Sequence, residues 1–279
     1  MTAMRLRIVS WNVHGCVGTD GRFTPERTAE VLRALAPDVA MLQEVGDNRG
    51  IHPPIDQATA LATALGMSCA IGITMPREPF GYGNCTLSRW PILDSSTVDL
   101  SYPTREPRAC LRAVVGPSDE SELRLTTLNV HLGLGASERR YQLGRILEAL
   151  LADYAVEQVR HHRQLPWLWR WRKADVDKLA TLPEPLVLAG DFNDFPPGPV
   201  TRTLANRLND VGARVVGRAT WPSRWPILRL DRVYTSRAVG VAEVSVTRTP
   251  LVRVASDHLP LVVEVDVQEL ALPLGLEVA

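Results

Sequence analysis

Six short clusters of polar side chains stand directly behind apolar, strand-like runs of the sequence: Trp11-Asn12-Val13-His14, Leu42-Gln43-Glu44, Asn129-Val130-His131, Gly190-Asp191-Phe192-Asn193, Leu230-Asp231-Arg232 and Ser256-Asp257-His258. Their carboxylates, imidazoles and carboxamides are the groups that move protons and hold hard cations through oxygen. Strand ends are where a sheet-based site gathers such groups. A single Asn or Asp behind a strand is most often a turn residue satisfying the backbone, and a single His is more often structural than catalytic. Six clusters in series point instead to one shared site. Asp191 and Asn193 are two positions apart, so an extended or turning backbone can aim both at one pocket, whereas Phe192 between them belongs to the core.

The elements that must position these clusters are mostly strands. Strand-like runs cover Leu6 to Val13, Asp38 to Gln43, Ser68 to Ile73, Asn84 to Leu87, Leu123 to Val130, Leu186 to Ala189, Leu230 to Tyr234, Val239 to Val246 and Leu259 to Val265. Helical stretches are fewer. Thr24-Pro25-Glu26 opens one that continues to Ala36, Asp56 opens one to Leu65, and Ser137 opens a long one through Leu151 or beyond. Helices that intervene singly do not give the steady βαβ alternation of a doubly wound parallel sheet. The order predicts an α/β (α+β) fold of two mixed β-sheets packed face to face with helices outside. No repeat, low-complexity tract or Gly/Ser linker divides the chain. One domain is expected over residues 1–268, with an insertion at about 155–183 and a tail over 269–279.

A chain of 279 residues buries about 75% of its unfolded surface, enough for a sizeable core. Lys+Arg and Asp+Glu both number 31, so no global field draws the protein to nucleic acid or to an anionic membrane, and any charge preference is local. Only Lys173 and Lys178 are lysines; arginine suits phosphate recognition, and coding bias gives the same composition. Cys16, Cys69, Cys85 and Cys110 lack metal-ligand spacing, which argues against structural zinc or a disulfide framework and fits a reducing, cytoplasmic compartment. The first residues run straight into a strand without an apolar signal region, and no run reaches the roughly 18 apolar residues that span a bilayer. The expectation is a soluble or membrane-peripheral protein.

Seven stretches in order carry a specific resemblance: SWNVHG (10–15), LQEV (42–45), YGNCTLSRWPI (82–92), LNVHLGL (128–134), AGDFND (189–194), LDRVYTS (230–236) and SDHLPL (256–261). The set resembles the endonuclease/exonuclease/phosphatase superfamily, over nearly the whole chain. The resemblance implies a four-layer, DNase I-like sandwich with the site at one rim. Phosphate esters resist attack because their anionic oxygens repel nucleophiles, so a hard divalent cation, Mg2+ or Mn2+, is implied. Glu44 is the implied metal ligand, with Asn12 beside it. Asp191 is implied to orient and deprotonate the attacking water, and Asn193 to hydrogen-bond the nucleophile or a phosphate oxygen. Asp231 would fix the tautomer and charge of His258, which stabilises the transition state. Asp257 would lie by the metal or on the nucleophile side. His131 would contact the phosphate or assist the leaving group, with a core histidine as the other reading. Asn84 would support the site. Arg108 would neutralise a substrate oxygen or pair with Glu106, and Thr220-Trp221-Pro222 would shape the substrate pocket.

His14 and His131 depart from the apurinic endonucleases, which carry Asp and Tyr there, and both departures count against DNA repair. WNVHG, EPRACLR and TWPS look most like compact bacterial members of the superfamily. The reading is a metal-dependent phosphoesterase acting on a lipid or small phosphodiester, or a phosphomonoester. The alternatives are a Mg2+-dependent nuclease and a non-catalytic phospholipid- or phosphoprotein-binding module of the same fold. The neutral charge offers none of the broad basic surface of a duplex binder. Trp167, Trp169 and Trp171 in the Arg160 to Lys173 segment fit an interfacial lipid contact, stacking on bases, or burial under the long helix.

Overall fold

The computed structural model describes residues 3–48, 50–121, 123–152, 185–213 and 217–268. The insertion with its three tryptophans and the C-terminal tail lie outside the described residues.

Among the described residues, twelve strands form two six-stranded sheets. The first sheet holds β1 (Ala3–Asn12), β2 (Val39–Val45), β3 (Ser68–Met75), β4 (Tyr82–Ser88), β11 (Val239–Val246) and β12 (Leu261–Gln268), in the order β11-β12-β1-β2-β4-β3. The second holds β5 (Ile92–Asp99), β6 (Ala109–Val115), β7 (Leu125–His131), β8 (Leu186–Asp191), β9 (Asn209–Val211) and β10 (Asp231–Thr235), in the order β5-β6-β7-β8-β10-β9. Each sheet has one parallel pair, β1 with β2 and β7 with β8; the other pairings are antiparallel.

Helices cover the outer faces. Helix α1 (Pro25–Leu35) starts on Pro25 behind Thr24 and stops at Ala36, whose φ of +47° breaks the helical path. Helix α2 (Gln57–Leu65) is capped by the Asp56 side chain accepting from Thr59 N, and ends at Gly66 in the left-handed conformation. Helix α3 (Ala136–Ala152) and the short α4 (Pro199–Ala205) flank the second sheet; α5 (Pro250–Ala255) joins β11 to β12. Three apolar layers hold the stack together. Trp11, Leu32, Leu42 and Leu61 fill the space under α1 and α2; Ile8, Met41, Val187 and Val263 fill the space between the sheets; Val130, Leu147, Leu188 and Phe192 fill the space under α3 and α4. These are the two mixed sheets with helices outside that the order of elements predicts, stacked in the four layers that the resemblance implies.

The sequence reading missed β5, β6, β9, α4 and α5. Strand β5, ILDSSTVD, is an edge strand with most of its side chains in water, so it lacks an apolar alternation. In β6, Arg112 interrupts the apolar run and pairs with Asp94 of β5. The short helices have too few turns to show a helical period. No helix among the described residues is long and apolar enough to cross a membrane.

Candidate active site

Strand register assembles the site. His131 ends β7 opposite Asp191 at the end of β8, and Asp191 in turn faces Asp231 at the start of β10. Across the sandwich, Asn12 ends β1 opposite Gln43 of β2. Glu44 follows Gln43, and on a regular strand its side chain would point the other way, toward the helices. A β-bulge between Leu42 and Val45, with Glu44 at φ +60°, turns that carboxylate to the rim. His14 (φ +48°) and Asn193 (φ +49°) share the left-handed backbone region, which costs about 1–2 kcal/mol for a non-glycine residue and clusters at functional sites.

Asp191 is the hub. Its Oδ1 accepts from Asn193 N at 3.0 Å. Its Oδ2 lies 3.3 Å from Asn12 Nδ2, 3.6 Å from His131 Nε2 and 3.6 Å from His258 Nε2. Asn12 Nδ2 also donates to Glu44 Oε1 at 2.9 Å, so one carboxamide bridges two carboxylates, while its oxygen accepts from His14 N at 3.0 Å. His258 Nδ1 meets Asp231 Oδ2 at 2.8 Å, and its carbonyl accepts from Trp11 Nε1 at 2.9 Å. Ser256 Oγ ties this loop to the Asn12 carbonyl at 2.7 Å.

Burial and charge then set protonation. Burial pushes Asp191 up to about 6, against the pull of the neighbouring His258 cation. Burial also opposes charge on His258, yet Asp231 and Asp191 outweigh it and raise the imidazole to about 10. Burial, with Arg108 and His258 nearby, holds His131 well below the usual histidine range. Near neutral pH the site therefore presents an ionised carboxylate, a cationic imidazole and a neutral one.

The other predicted residues fall around this hub. Asn193 donates its Nδ2 to Leu132 O at 2.8 Å, which fixes its side chain and leaves its Oδ1 as the acceptor. Arg108 is buried, pairs with the exposed Glu106 at 2.7 Å and also reaches within 3.5 Å of His131 Nδ1, a contact the sequence did not suggest. Asn84 lies beneath the site and donates to Ala109 O and Asn129 O across the sandwich. Asp257 stands at the outer edge, 3.8 Å from His14 Nδ1 and bonded by Trp221 Nε1 at 3.2 Å; no hydrogen bond among the described residues joins it to Glu44 or Asn12. Phe192 is fully buried and meets Tyr234 edge-to-face.

Sequence reasoning assigned no role to Gln43, Asn129 or Asp194. Asn129 donates to Leu42 O and Cys85 O and accepts from Gln43 Nε2, stitching the sheets directly below the rim. Asp194 accepts from Thr201 and pairs with Arg139, anchoring the loop behind Asn193. Polar residues inside otherwise apolar strands were the available signal for Gln43 and Asn129.

For a divalent cation, the donors at hand are the oxygens of Glu44, Asn12 and Asp257. No three His, Cys, Asp or Glu side chains among the described residues converge into a preassembled cage. Mg2+ commonly keeps several waters and rests on one or two carboxylates plus the substrate's phosphate, and this oxygen-only donor set fits such an ion.

A family model described as the Endonuclease/Exonuclease/phosphatase family matches residues 9–258. The protein YbhP of Escherichia coli (strain K12) is 29% identical over 280 residues, covering 93% of this chain and 95% of its own length. A conserved protein from Enterococcus faecalis V583 superposes with a TM-score of 0.71 at 20% identity, over 94% of this chain and all of its own. The mannosyl-6-phosphatase Bt3783 of Bacteroides thetaiotaomicron VPI-5482 superposes with a TM-score of 0.65 at 16% identity, over 93% and 99%.

Proposed function

This chain belongs to the Endonuclease/Exonuclease/phosphatase family and is, with its members, a phosphoester hydrolase; from there we propose that it cleaves a small or lipid-borne phosphodiester, or a phosphomonoester, by water attack at Asp191. The observation that carries this reading is the Asp191 hub: one carboxylate oxygen is tethered, and the other is surrounded by Asn12, His131 and His258 at the junction of the two sheets.

In this reading, ionised Asp191 takes the proton of the attacking water. Asn193, its amide nitrogen fixed on Leu132, accepts from the same water through Oδ1 and sets the line of attack. His258, held cationic by Asp231, donates to a phosphate oxygen as charge builds up there. Neutral His131 serves the leaving oxygen, and Arg108 beside it balances substrate charge. Family members are generally dependent on a divalent metal. Glu44, with Asn12 beside it and Asp257 at the edge, would hold Mg2+ or Mn2+. Such an ion, when bound, neutralises the phosphate's negative charge.

The test is turnover of bis-p-nitrophenyl phosphate by the purified protein with Mg2+ or Mn2+, alongside plasmid DNA and an abasic duplex. Asp191→Ala is expected to lower kcat by about 10²–10⁴-fold with the fold retained. A silent wild type with either metal, or an active Asp191→Ala, would sink the reading. Selective cleavage of the duplexes would make the chain a nuclease.

A further inference from the structure

The three most exposed large apolar side chains among the described residues are Leu134 (77%), Trp225 (75%) and Ile227 (72%). All three lie on loops joined to residues of the site. Leu134 lies three positions past His131. Trp225 and Ile227 lie on the loop bounded by the Trp221–Leu228 bridge. That loop is fastened to the site: Trp221 Nε1 donates to Asp257 Oδ2, and Ser223 N donates to Asp257 O at 2.7 Å. Half-exposed Phe195 lies four positions past Asp191. Its loop and the Leu134 loop are clamped together by Arg139, which holds both Asp194 Oδ1 and Leu134 O.

Apolar surface held in water is a standing cost, and its presentation on loops fastened to one site marks an interaction surface. Its composition indicates what is met there. Leu134 and Ile227 are aliphatic and have no π face on which a base could stack. Exposed Arg224 sits beside Trp225, and exposed Arg140 lies on α3 just beyond Leu134. Aliphatic and indole tips flanked by guanidinium groups complement the acyl boundary and the anionic headgroups of a lipid surface.

We propose that this rim docks on an anionic membrane and that the ester cleaved belongs to a membrane phospholipid; the substrate assignment rests on the hydrolase reading above. In the cleavage, the water oxygen bonds to phosphorus, one phosphorus–oxygen ester bond breaks, and the departing alcohol oxygen takes up a proton.

The test floats the full-length protein with phosphatidylcholine vesicles, with and without phosphatidylglycerol, and follows phosphate-ester release from them with Mg2+ or Mn2+. The wild type is expected to float with the anionic vesicles. Trp225→Ser/Ile227→Ser and, independently, Leu134→Ser are expected to lose flotation and vesicle hydrolysis by about tenfold or more while soluble bis-p-nitrophenyl phosphate turns over unchanged. A wild type that stays at the bottom, or variants that float and hydrolyse like it, overturns the proposal. So does binding to a single-stranded oligonucleotide that the loop variants lose while flotation is absent. If soluble turnover is absent in the wild type, the hydrolase reading fails with it, and flotation alone then decides whether the surface docks on lipid.

Discussion

Asp231 and His258 form a buried hydrogen bond that favours the protonated imidazole where burial alone opposes the charge. In the metal-free protein, NMR titration should find His258 cationic until about pH 10. The sign follows from linkage. A histidine raised above its unfolded value contributes stability that is fully present below about 6.5 and is lost as pH rises through the folded value. Asp231→Asn keeps a hydrogen-bonding side chain and removes the charge, so the same resonance should titrate more than a unit lower. An unchanged titration in Asp231→Asn would mean that Asp231 does not set the charge. Activity should fall below about pH 6, where buried Asp191 takes up a proton and ceases to act as a base.

The strands and the bonds between them carry the site's precision. Gly190 precedes Asp191 at φ +147°, and a Cβ there would sit 1.8 Å from the Val130 carbonyl oxygen on β7. The neighbouring atom is backbone and cannot yield, so Gly190→Ala should destabilise by more than about 4 kcal/mol, seen as lost soluble yield or a collapsed Tm. Asn129 links the two sheets through Leu42 O, Cys85 O and Gln43. Asn129→Leu keeps the volume and strands those partners in the interior, at about 1–3 kcal/mol for each unsatisfied group. Urea unfolding should therefore report a loss of about 3 kcal/mol or more. A loss below about 1 kcal/mol would show that water or relaxation replaces the stitch.

At the scale of the whole molecule, the site belongs to neither sheet alone. Asn12 and Glu44 come from the first sheet, His131, Asp191 and Asp231 from the second, and His258 from the turn that leads into β12. A ligand that binds only this junction is linked to global folding. Under the proposed cation binding, Mg2+ at about a hundred times its Kd should add about 2.7 kcal/mol and raise the Tm by several degrees. Glu44→Gln should abolish that shift without unfolding the apoprotein, and EDTA should silence hydrolysis. A Tm unmoved by Mg2+ and Mn2+ would remove Glu44 from the role of ligand.

The sequence by itself determined which residues could react and in what kind of frame. Local apolar patterning predicts β1, β2 and β8, and chemistry-bearing side chains stand visibly at their ends. The caps of α1 and α2 are equally local, because Pro25, Asp56 and Gly66 act within one helical turn. Only the tertiary structure decided how those ends meet. The pairing of His131 and Asp231 with Asp191 depends on strand register, and the aim of Glu44 depends on a single bulge. Each is a long-range property, to which a one-residue slip would be fatal and on which a local pattern is silent. For the same reason β5 went unread: an edge strand with most of its side chains in water has only its partner β6 to define it.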